Sequence, residues 1–152
     1  MPQELPKDLL VKVNELMKIA DGLSYANKDA QATEKLEEAF ALIPEPKNEW
    51  SDASIIARNI ASYYFTKAMH KSKNEKQKQE LLEKALMFYK VVMSFSQNIG
   101  VSYNHLRIGL IRYEMGDYEK AKDEFMRVYM AEGEEGFVDE DPKYFELIQP
   151  IV

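Results

Sequence analysis

Apolar residues recur at three- and four-residue intervals along most of the chain. From Leu9 they fall at Leu9, Val13, Leu16, Met17, Ala20 and Leu23, the spacing that lines one face of an α-helix. "NKDA" at 27–30 interrupts the pattern, and a second helix runs through Ala32, Leu36, Ala39, Phe40 and Ile43 to Pro44. So short a connection leaves no route but an antiparallel hairpin. "PEPKNEWSDAS" at 44–54 is rich in turn formers, with Ser51 or Asp52 available to cap the next helix. A third helix carries Ile56, Ile60, Tyr63, Tyr64 and Met69. It meets the polar run "HKSKNEKQKQE", which is read either as elongated helices or as a protruding loop over 71–79.

A fourth helix follows through Leu81, Leu82, Ala85, Phe88, Tyr89, Val92 and Met93 and is expected to stop near Asn98-Ile99-Gly100, where glycine can turn left-handed. Helices five and six flank Gly116-Asp117. In the tail, Asp141 is placed at a helix N-cap with Pro142 in the first turn, and Pro150 ends the short seventh helix. The pattern thus predicts an all-α protein: one domain over 1–152, with hairpins at about 7–44, 50–98 and 101–132 and a cap at 141–149.

Composition narrows the function classes. The chain has 152 residues, 45% of them hydrophobic, enough for one sizeable core and short for two independent domains. Only six glycines and six prolines interrupt the strong helix formers. A net charge of −6 repels phosphate backbones and argues against wholesale nucleic-acid binding. With no cysteine there is no disulfide, thiolate metal site or thiol nucleophile. "MPQELPKDLL" lacks the basic and apolar regions of a secretory signal, and "ALMFYKVVM", broken by Lys90, is far below the ~20 residues that span a membrane. A soluble, cytoplasmic protein is expected.

Three successive hairpins invite a search for internal repeats. Leu16, Ile19, Ala20, Leu23, Ala32, Leu36, Ala39 and Pro44 fall at the offsets of the signature W-x2-L-G-x2-Y…A-x3-F…P. His105, Ile108, Gly109, Arg112, Ala121, Phe125, Val128 and Gly133 fall at the same offsets, with Gly116-Asp117-Tyr118 at the turn. On these residues the chain resembles the tetratricopeptide repeat family over roughly 9–133. The middle hairpin departs: Ala57, Ile60, Ala61 and Tyr64 match, but Leu82 and Ala85 arrive five residues late. Leu16, Ala57 and His105 are 41 and then 48 residues apart, against a family period of about 34. The alternative is a divergent helical bundle. "GEEGFVDEDPKYFELI" also resembles the C-termini of small bacterial members of the family, some encoded beside polymorphic toxins, which implies a toxin as one class of partner and this chain as its immunity factor.

The resemblance implies a right-handed stack of about three hairpins with a C-terminal cap, acting as a non-catalytic adaptor that holds a peptide or protein in a concave groove. Its groove-lining offsets transfer to Met17, Lys18, Asp21 and Tyr25, to Arg58, Asn59 and Ser62, and to Tyr103, Arg107, Leu110 and Glu114. Taken singly, each of them is more simply read as an ordinary solvated side chain. Some family members clamp a chaperone's C-terminal carboxylate. Asn59 and Arg107 fit two of those places, but Met17 and Asp21 stand where a lysine and an asparagine belong, so the clamp is incomplete.

Other chemistry is sparse. Lys67, His70, Lys71, Lys73, Lys76, Lys78 and Lys84 form a basic stretch, which leaves an RNA or nucleoprotein contact as the alternative to a soluble helix end. Glu132, Glu134, Glu135, Asp139, Glu140 and Asp141 lack the loop pattern that binds calcium. His70 and His105 belong to no helical metal motif, and no phosphate loop or nucleophile elbow occurs. No catalytic residue, cofactor or metal site is therefore expected, although a small helical-bundle enzyme stands as a further alternative. His105 is expected to pack between helices where the family carries tryptophan.

Overall fold

Three short turns set the path of the chain. In the computed structural model, which describes residues 1–152, seven α-helices form and no strand does: α1 (Lys7–Tyr25), α2 (Asp29–Leu42), α3 (Ser51–His70), α4 (Glu75–Met93), α5 (Ser102–Glu114), α6 (Tyr118–Glu132) and α7 (Pro142–Glu146). The protein is all-α, as the periodicity predicts. The turns after α1 and α5 close alike. Asn27 and Gly116 take positive φ, and the next amide reaches back five residues, Lys28 N–H to the Leu23 carbonyl at 2.8 Å and Asp117 N–H to the Arg112 carbonyl at 2.9 Å. Asp117 then caps α6 by accepting from the Lys120 amide. The polar run between α3 and α4 forms elongated helices joined by a brief turn, because Asn74 Oδ1 accepts from the Gln77 amide at 2.8 Å and starts α4 early.

The helices cluster into two compact units, Met1–Ser96 and Gln97–Val152. In the first, α3 packs against both α2 and α4, and α1 against α2. The central helix can serve two neighbours because Ala53, Ala57, Ala61 and Ala68 present fully buried methyl groups, while Ile56 and Ile60 fill the grooves between helices. The N-terminal segment adds an element that helical periodicity does not announce. Gln3 bridges to Trp50, its amide donating to the Glu49 carbonyl at 2.8 Å and its carbonyl accepting from Ser51 N–H at 3.0 Å, which buries Leu5. Trp50 consequently occupies the N-cap of α3; Ser51 and Asp52 lie in the first turn and make no cap hydrogen bond.

At the C-terminus of α2, Lys47 reaches back from the linker. Its Nζ donates to the carbonyls of Phe40 at 2.7 Å and Ile43 at 2.5 Å and lies 4.6 Å from the Phe40 ring centre. The Phe40 carbonyl also accepts from the Ile43 amide at 3.2 Å, so the ammonium adds charge-assisted hydrogen bonds at the negative end of the helix dipole. Lys47→Met, which keeps the stem, is expected to destabilise the protein by about 1–2 kcal/mol, read as a lower urea midpoint with unchanged slope.

In the second unit α5 and α6 enclose Leu106, Ile108, Leu110, Ile111, Ala121, Phe125 and Val128. Buried Asn104 donates to the Asn98 carbonyl at 3.0 Å. His105 ties α5 to α6 as a packed residue, its Nδ1 at 2.5 Å from Glu124 Oε2 and its Nε2 at 2.6 Å from the Ile99 carbonyl. Gly100 does not stop α4, which ends at Met93 ahead of a separate 3-10 turn at Ser96–Asn98. Asp141 caps α7 by accepting from the Lys143 amide at 3.0 Å, with Pro142 in the first turn. That helix ends at Glu146, before Pro150, which sits in a final 3-10 turn.

Candidate functional site

Small side chains on α1 and α2 leave a cleft that these two helices line together with α3. Ala20 and Ala32 are buried beside it, and its volume is about 350 Å³. Each helix contributes at helical spacing: Asp21 and Ser24 from α1; Asp29, Thr33 and Leu36 from α2; Asn59, Ser62, Tyr63 and Thr66 from α3. Carboxylates, hydroxyls and one amide dominate, and no Lys or Arg lines the cleft. Thr33 is already committed, its hydroxyl donating to the Asp29 carbonyl at 2.9 Å. Tyr63 packs edge-on against Tyr64 at 5.3 Å. Tyr64 is fixed in turn by its hydroxyl donating to Glu37 at 2.7 Å, and by stacking on Phe88. Burial and then that hydrogen bond hold the Tyr64 phenol above the ordinary range. Tyr63 is therefore backed by a packed, protonated Tyr64, while the cleft has an acceptor-rich, negative character.

Of the groove positions read from the sequence, Asp21, Asn59 and Ser62 come together here. Lys18 and Tyr25 are exposed on α1 outside the lining, Tyr25 at 93%, and Arg58 is half-buried one residue before Asn59. In the second unit Tyr103 is 54% exposed and Arg107 half-buried. Leu110 is only 1% exposed: it belongs to the core between α5 and α6 and offers no contact to a partner. Glu114 is likewise engaged within the chain. Its carboxylate, 6% exposed, accepts from the Tyr144 hydroxyl and Lys143 Nζ, both at 2.8 Å.

Ser24, Asp29, Thr33, Tyr63 and Thr66 were missed because transferred offsets favour the first helix of each pair. The signal was present: Asn59, Ser62, Tyr63 and Thr66 follow the three-four-seven spacing of one helix face, and Asp29, Thr33 and Leu36 follow four and seven. In the basic stretch, Lys67 lies 5.9 Å from the Tyr63 ring centre and Lys84 4.7 Å from that of Tyr64, while Lys71, Lys73 and Lys76 are exposed and interspersed with Glu75, Glu80 and Glu83. No group of three or more His, Asp or Glu side chains converges closely enough to hold a metal ion. No helix is long and apolar enough to cross a membrane. Comparison with protein-family models returned no match, and neither did comparison with curated proteins.

Proposed function

We propose that the protein is a non-catalytic binding module that seats an extended peptide or a protein segment in the cleft between α1, α2 and α3. The observation that carries this reading is the convergence of Asp21, Asn59 and Ser62 on one polar cleft, flanked by the Tyr63 ring. Asn59 offers donors and an acceptor to a backbone, and the Asp21 and Asp29 carboxylates favour a partner that brings amide or cationic donors. The tetratricopeptide reading supports the same function. Equivalent turns close the first and third hairpins, and small residues lie buried at matching offsets, Ala20 and Ala32 in one and Gly109 and Ala121 in the other.

Affinity capture with mass spectrometry, comparing wild type with Asp21→Lys/Asn59→Glu, tests the proposal. Both residues are exposed, so the fold should persist, and recovery of the partner should drop about tenfold or more, equivalent to about 1.4 kcal/mol. Undiminished recovery by a folded double variant would remove the cleft from consideration.

A further inference from the structure

The net charge is concentrated in one part of the chain. Gln97–Val152 holds twelve Asp and Glu against six Lys and Arg, which accounts for the whole −6, while the fourteen acids and fourteen bases of Met1–Ser96 cancel. Within that unit Glu114, Asp117, Glu119, Asp123 and Glu124 have cationic or histidine partners, and Asp141 caps a helix. Glu132, Glu134, Glu135, Asp139, Glu140 and Glu146 form no ion pair.

Four of these six, Glu134, Glu135, Glu140 and Glu146, border a groove of about 460 Å³ whose apolar lining is Phe137, Val138, Pro142 and Phe145. Val138 is 76% exposed there, a large apolar side chain left in water. The surface beneath is stiff. Phe137 is buried with its ring 5.6 Å from Phe125 and 5.3 Å from Phe145, and Phe145 stacks on Tyr129 at 6.1 Å. An aromatic surface already held in place spends little ordering entropy when a partner binds.

The occupant follows from charge. Unpaired carboxylates around an apolar surface repel nucleic acid and anionic lipid, and they attract lysine and arginine. A second copy of this chain offers cations at the turn between α3 and α4, but "HKSKNEKQ" at 70–77 has no apolar side chain to fill the groove. We propose that the groove docks a cationic amphipathic segment of another protein. An apolar side chain seats against Phe137, Val138 and Phe145, and flanking lysines or arginines meet Glu134, Glu135, Glu140 and Glu146. This surface lies wholly in the second unit and does not depend on the cleft of the first.

The test is a titration of the isotope-labelled full chain, followed by amide NMR, with three synthetic peptides: an amphipathic leucine–lysine helix, an oligolysine of equal charge, and a leucine–glutamate helix. The leucine–lysine peptide should bind saturably, with Kd on the order of 10 μM, weaken as salt rises, and shift amides between residues 134 and 149. Glu134→Lys/Glu140→Lys and Val138→Asp, all at positions outside the core, should each weaken it about tenfold. The proposal is overturned if the leucine–lysine peptide fails to bind, if oligolysine binds as well, or if the variants bind like wild type. It is also overturned if the chain alone dimerises through this groove, since a second copy would then be the occupant.

Discussion

Gly109→Ala is expected to destabilise the protein by about 1–2 kcal/mol and Gly109→Val by about 3 kcal/mol, whereas Gly22→Ala is expected to stabilise it by up to about 1 kcal/mol. Both glycines lie inside helices, so both replacements gain the same intrinsic helix propensity. They differ in what a new methyl group would meet. At Gly22 nothing lies within 4 Å, but at Gly109 a Cβ would stand 2.4 Å from Phe125 Cε1 and 2.6 Å from Cδ1. The Phe125 ring cannot swing aside, because it is fully buried and held by Phe137 at 5.6 Å and Tyr144 at 6.0 Å. The cost of overpacking, about 1–3 kcal/mol, therefore exceeds the propensity gain at one site and is absent at the other. Urea denaturation of the three variants measures this. Gly109→Ala should also be partly rescued by Phe125→Leu, so that the double variant loses less than the sum of the single ones. A stabilising Gly109→Ala would show that α5 and α6 do not approach as closely as described.

The residues at issue in that experiment are the ones the sequence marks most clearly. Ala20, Ala32, Gly109 and Ala121, which fall at the repeat-signature offsets, are all buried, and Phe125 fills the space Gly109 leaves. Helical periodicity repeats a burial pattern several times per element, so element type and interior face are strongly over-determined. Features that depend on one contact between distant positions are not. Nothing within residues 1–6 indicates that Gln3 will pair with Trp50, and that pairing displaces the expected cap at Ser51 or Asp52.

The candidate site divides along the same line. Asp21, Asn59 and Ser62 could be placed from offsets along a helix, whereas the fate of Glu114 depended on Tyr144, thirty residues away. Leu110 shows a different limit. Between a groove-facing and a core-facing position on α5 there is about one residue of rotation, and an apolar side chain resolves that choice toward the core.

Removing the Glu114 carboxylate should release the C-terminal cap. α7 has five residues, too few to persist as a helix without tertiary contacts. It is held by Tyr144, whose ring packs 5.0 Å from Tyr113 and whose hydroxyl, with Lys143 Nζ, meets Glu114. Glu114→Ala leaves a buried phenol without its acceptor and is expected to cost about 2–3 kcal/mol, with faster proteolysis after residue 140. The same contacts set a pH limit. Burial and then the Glu114 hydrogen bond hold the Tyr144 phenol well above its ordinary value. Tyr64 is raised in the same way by burial and Glu37, and the Glu114 hydrogen bond raises Lys143 against the opposing effect of its partial burial. Because these folded-state values exceed the unfolded ones of about 10, the stability they contribute is complete below pH ~10 and is lost as pH rises beyond it. Phenolate absorbance should therefore show Tyr64 and Tyr144 among the tyrosines that ionise only as the protein unfolds in alkali, and one fewer such tyrosine in Tyr144→Phe. If all nine tyrosines ionised together near pH ~10 with helicity intact, neither Tyr64 nor Tyr144 would be anchoring its helix in the way the geometry indicates.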